Sequence, residues 1–209
     1  MESNWASDNL QVIRTLMERS SLYRRALAPV MIFAGCVGTI AGTIGLQGID
    51  SASGFVRLWI LAGLIAAAGV FVLIRRQALK DVEPVWSSPT RRVVQAIIPP
   101  LFVGLVAAVP FLASEVRYPE LALALIPAWF ALYGCALCAA GAFMPRGIKI
   151  FGWFFILAGS ALFIAGLTRT AALPTLPQAH GIMGVAFGLI HLLYGGYLYV
   201  TEPKRKNAV

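Results

Sequence analysis

The chain has 209 residues, of which 59% are apolar and only 12% charged, and its mean hydropathy is +0.78. Soluble domains average about 45–50% apolar and about 25% charged, so a cytosolic enzyme, a secreted disulfide scaffold and a disordered tail are excluded and an all-α polytopic membrane protein is expected. The net charge of +8 suggests nucleic acid only as a bulk property; its positions along the chain decide against that partner.

Residues 1–26 read as a cytoplasmic amphipathic leader rather than a cleavable signal peptide, because no apolar run follows a charged start. Asp8 and Gln11 have capping-box spacing, and Leu10, Ile13, Leu16 and Met17 recur at helical intervals. This predicts an interfacial helix on the inner leaflet, a pattern equally suited to docking a cytoplasmic partner.

A transmembrane domain over 27–200 follows, then a basic tail, 201–209. A spanning helix needs roughly 20 residues, and six segments supply them, at about 27–46, 55–74, 93–113, 121–143, 149–168 and 181–200. In the first, Gly35, Gly38, Gly42 and Gly45 form one stripe that lets helix backbones approach closely. In the fourth, Ala131, Gly134, Cys138 and Gly141 repeat that spacing, and the fifth carries Gly152, Gly159 and Gly166. Pro99, Pro100 and Pro110 are expected to kink the third span or break it into a half-helix. Trp59, Trp153, Tyr118, Tyr197 and Tyr199 are placed at interfaces, where aromatic rings anchor spans. The loop from Arg75 to Arg92 reads as a short interfacial helix or docking site. Cys36, Cys135 and Cys138 fall inside spans, without the second pair that a disulfide framework or metal site needs, and read as buried packing residues.

The sixth span places Gly181, Gly184, Gly188, His191 and Gly195 at intervals of three and four, so the imidazole shares the packed face and points inward. An ionisable residue at bilayer depth is a functional-site candidate by default, and Tyr194 and Tyr133 are its candidate partners. The structural alternative is a neutral imidazole, hydrogen-bonded and serving helix association alone. His180 lies on nearly the same face about 16 Å away, too far to share one haem or metal. With Arg169 and Glu120, and with Glu115 and Arg117 nearby, it forms a candidate outer-mouth site. No catalytic residue, metal ligand or cofactor is predicted. No Asp or Glu lies within a span, which disfavours cation-coupled transport, and zinc-protease, nucleophile-elbow and nucleotide-loop motifs are absent.

With the amino terminus inside, only Arg57, Arg117 and Arg169 of the 17 Lys and Arg fall outside. That imbalance predicts both termini in the cytoplasm and a basic inner face beside anionic lipid. The two halves also share letters: Ala26-Leu27-Ala28-Pro29 with Ala124-Leu125-Ile126-Pro127, Gly35 with Gly134, Gly42 with Gly141, and Ile60-Leu61-Ala62-Gly63 with Ile156-Leu157-Ala158-Gly159, at offsets of 96 to 99 residues. A 3+3 inverted repeat, as in secondary transporters, would produce this.

The leader segment Leu10-Gln11-Val12-Ile13-Arg14-Thr15-Leu16-Met17-Glu18-Arg19-Ser20 and the closing Gly188-Leu189-Ile190-His191-Leu192-Leu193-Tyr194 resemble a group of uncharacterised bacterial six-helix inner-membrane proteins. The resemblance covers only the two ends of the chain. It implies a bacterial cytoplasmic membrane and no activity, substrate or catalytic residue. The leading expectation is a non-enzymatic scaffold, sensor or accessory subunit whose partners are lipid, another protein or a second copy of itself. The alternative is a small permease with a midplane site near His191.

Overall fold

The computed structural model describes residues 26–80, 84, 86–113, 118–144, 146–168 and 174–201. The leader with Asp8 and Gln11, the tail beyond Thr201, and Glu115, Arg117 and Arg169 lie outside the described residues.

Six helices are long and apolar enough to cross a membrane, and the chain is an all-α polytopic membrane protein. They are α1 (Ala26–Leu46), α2 (Ala52–Lys80), α3 (Ser88–Ala108, continued by a 3-10 turn over Val109–Leu112), α4 (Leu125–Ala140, entered through a 3-10 turn over Pro119–Ala124), α5 (Arg146–Leu167) and α6 (Leu176–Thr201). Helices are imposed by the solvent, because lipid offers the backbone no hydrogen-bonding partner.

The helix ends explain where the boundaries differ from the hydropathy reading. Ser87 caps α3, its side chain accepting from the Thr90 amide, with Pro89 in the first turn. Thr175 and Gln178 form a reciprocal capping box at the start of α6, so this helix begins ahead of residue 181 and takes His180 into its body. At the end of α1, Gly48 has φ +152°, a conformation that side-chain-bearing residues rarely adopt. α2 continues through Arg75 and Arg76 to Lys80, so the first part of the expected connecting loop is helix. α3 runs unbroken through Pro99 and Pro100; proline lacks the amide proton, yet the helix is not split into halves. Pro110 falls in the 3-10 turn, the tighter winding that ends this span.

Two pairs of helices pack through glycine. On α1 and α6, a Cβ on Gly35 would meet Leu192 and the Gly188 carbonyl, one on Gly38 the backbone of Phe187, and one on Gly42 the Cα of Gly184. Higher numbers on α1 meet lower numbers on α6, so the helices run antiparallel. α4 and α5 interlock the same way, Gly134 on Gly152 and Ile156, and Gly159 on Pro127 and Ala131. Gly181 meets nothing within 4 Å and stands outside the packed face predicted for it. The letters shared between the two halves differ in environment. Gly35 and Gly42 pack on the last helix, whereas Gly134 and Gly141 pack on the next one, and Gly63 is open where Gly159 is enclosed.

Candidate functional site

α6 is α-helical over Leu176–Met183, widens to a π-helix over Gly184–Leu189, and resumes as α-helix over Ile190–Thr201. π-segments are rare and concentrate at functional sites. This one has a direct consequence for the two histidines. An extra residue in one turn sets the following helix back by about 100°, so the two rings, expected on one face, turn to different neighbours: His180 to α1 and α2, His191 to α4 and α5.

His191 is 1% exposed. Its Nδ1 lies 3.0 Å from the carbonyl oxygen of Ala186, five residues back across the widened turn, and its Nε2 lies 2.7 Å from the Tyr133 hydroxyl. A carbonyl only accepts, so Nδ1 carries the hydrogen and, in the neutral ring, Nε2 accepts from the phenol. Phe151, Phe155 and Phe187 enclose the imidazole at ring-centroid distances of 5.0, 5.5 and 5.9 Å. Tyr194, the other candidate partner, stacks on Phe151 at 4.5 Å and lies against Gly147.

His180 is fully buried, which removes it from the solvated outer mouth expected of it; Glu120 remains exposed. The Trp59 indole N–H donates to His180 Nδ1 at 3.2 Å, and Nε2–H donates to the Ile49 carbonyl at 3.3 Å. The two rings thus hold opposite tautomers. Trp59 is buried at 6% exposure and serves this bond rather than the membrane interface, while Trp153, Tyr118, Tyr197 and Tyr199 are exposed. Nearby, Arg57 donates through Nε and Nη2 to the Leu112 carbonyl at 3.2 and 2.6 Å, a cationic cap on the final turn of the third span.

Between the histidines runs an aromatic column that the sequence reading missed. Phe187, in the π-segment, touches Trp59 at 6.5 Å, Phe130 at 5.4 Å, Tyr133 at 5.2 Å and Phe155 at 5.4 Å. The contacts with Phe130 and Tyr133 are edge-to-face, a geometry that contributes about 0.5–1.5 kcal/mol per pair beyond simple burial. The signal was present as Phe55 and Trp59, Phe151 and Phe155, and Phe187 and His191, each four apart on one helix face.

Cys36 and Cys135 are exposed on the bundle surface rather than buried; Cys138 is half-buried, its thiol 3.6 Å from the Lys149 carbonyl. Among the described residues no three His, Cys, Asp or Glu side chains converge as a metal site would require. Chemically, the centre can pass a proton between Tyr133 and His191, whereas a ligand reaching the imidazole must first displace one of its two hydrogen-bond partners. No protein-family model matches the chain, and neither a curated protein nor a solved structure is similar to it.

Proposed function

We propose that this protein is a non-enzymatic scaffold, sensor or accessory subunit of a bacterial cytoplasmic membrane, rather than a carrier. The observation that carries this reading is His191: near the middle of the sixth span, 1% exposed, with both nitrogens hydrogen-bonded within the bundle. A midplane transport site presents polar groups to a cavity, whereas here they are spent on one another. The unbroken α3 also withdraws the exposed backbone that a permease would draw from a split helix.

The membrane assignment rests on the resemblance of the two chain ends, and the orientation, both termini cytoplasmic, on the distribution of Lys and Arg. The same basic face suits anionic lipid, and a protein partner would dock on it or on the leader; nucleic acid has no place in this reading. Extraction into native-lipid nanodiscs tests the proposal: a partner in fixed stoichiometry is expected, together with no solute flux in proteoliposomes of the purified chain. Substrate-specific flux by that chain alone would overturn it in favour of the permease.

A further inference from the structure

Oxidising a phenol by one electron inside an apolar core is opposed unless a base stands ready for its proton. Tyr133 has one. Its hydroxyl is 2.7 Å from His191 Nε2, inside the roughly 2.6–3.2 Å reach required of a general base, and because Nδ1–H is committed to the Ala186 carbonyl, Nε2 offers its lone pair to the phenol. Three phenylalanine rings have centroids within 6 Å of the imidazole, and Phe187 stacks on it, which suits the cation that would form. The pair is also connected outward: His191 contacts Phe151 at 5.0 Å, Phe151 stacks on Tyr194 at 4.5 Å, and Tyr194 stacks on Tyr197 at 6.5 Å. Tyr197 is 63% exposed on the bundle surface.

We propose that Tyr133 and His191 form a proton-coupled redox pair that accepts oxidising equivalents arriving at the lipid-facing Tyr197. The oxidant is a one-electron species soluble in the bilayer, of the lipid peroxyl radical class. The peroxyl group gains one electron and takes one proton from interfacial water, leaving as a hydroperoxide with hydroxide left in the water. The electron comes from Tyr133 by way of His191, Phe151, Tyr194 and Tyr197. The Tyr133 O–H bond breaks, an Nε2–H bond forms, and the products are a neutral phenoxyl radical and an imidazolium. This activity is separate from the scaffold reading and does not depend on it.

The test uses the full chain in nanodiscs of saturated phosphatidylcholine, with peroxyl radicals generated by a lipid-soluble azo initiator, and freeze-quench electron paramagnetic resonance. A tyrosyl radical is expected in the unaltered chain and lost in Tyr133→Phe, which keeps the ring packing. In His191→Gln the rate of radical formation is expected to fall about a hundredfold, the lower end of general-base effects, with thermal unfolding monitored alongside. Should His191→Gln fail to fold, electron–nuclear double resonance on the unaltered chain serves instead: the phenoxyl should show one exchangeable proton hydrogen-bonded to its oxygen. Absence of a tyrosyl radical, an undiminished radical in Tyr133→Phe, an unchanged rate in folded His191→Gln, or a phenoxyl without that proton would each overturn the proposal.

Discussion

Gly45 shows how much one missing methyl group decides. A Cβ there would overlap the His180 ring, so the histidine is seated in space that only glycine leaves. Gly45→Ala is expected to cost about 1–3 kcal/mol, as overpacking of a filled core does, read as a lower midpoint in thermal unfolding. Gly181→Ala, on the same helix as His180 but with nothing within 4 Å, should instead be neutral or gain about 0.5–1 kcal/mol from helix propensity. The hydrogen bonds predict a second outcome: nitrogen-15 NMR of the two imidazoles should show Nδ1–H in His191 and Nε2–H in His180. Trp59→Phe would leave His180 Nδ1 without its donor and is expected to cost about 1–3 kcal/mol. That Gly45 belongs to a packing stripe was legible from its spacing. That it seats a histidine was not, because the spacing names a face of α1 and says nothing of which residue of α6 lies opposite.

At the scale of the helix, α6 lies against α1 on both sides of its π-segment, but its two histidines turn to different helices across it. Deleting Val185, whose side chain is half exposed, should convert the widened turn to ordinary α-helix and leave Ile190–Thr201 in its present rotation against Leu176–Met183, because the lost residue carries the same roughly 100° that the π-segment absorbs. His180 would keep Trp59 and His191 would keep Tyr133, an outcome the same NMR experiment would register as both imidazoles still hydrogen-bonded. A spectrum in which His191 alone lost its Tyr133 bond would show that the π-segment does not hold the extra residue that sets their directions. A periodicity argument at 3.6 residues per turn carried the two histidines to one face because it has no means of anticipating a wider turn. The start of α6, by contrast, was written in the letters Thr175-Leu176-Pro177-Gln178, a capping box that hydropathy alone overlooks.

Across the whole molecule, α2 is disproportionate. Its 29 residues extend about 44 Å at 1.5 Å per residue, against about 30 Å of hydrocarbon, so its basic end with Arg75, Arg76 and Lys80 is expected to stand clear of the lipid. With Cys36, Cys135 and Cys138 replaced by alanine, a cysteine at Leu79 should react with a membrane-impermeant maleimide and one at Leu64 should not; both native side chains are more than half exposed on the bundle surface, so the difference reports water rather than burial. Equal labelling would mean that α2 does not project.

The sequence by itself determined that the chain lives in a membrane, crosses it six times and does so as helices, since hydrocarbon tolerates only long apolar runs whose backbone is satisfied internally. It also marked the glycine stripe of α1 and His191 as inward-facing, though the same spacing argument fails at Gly166 and Gly181, which meet nothing within 4 Å. Which helices those glycines join, why His180 is buried rather than solvated, and how Tyr133, Phe151, Phe155 and Phe187 close around one imidazole were decided only by tertiary packing. The physical reason is that hydropathy reports the partition of each segment between water and lipid, whereas the contact between two apolar helices depends on shape, and shape at a contact belongs to both partners at once.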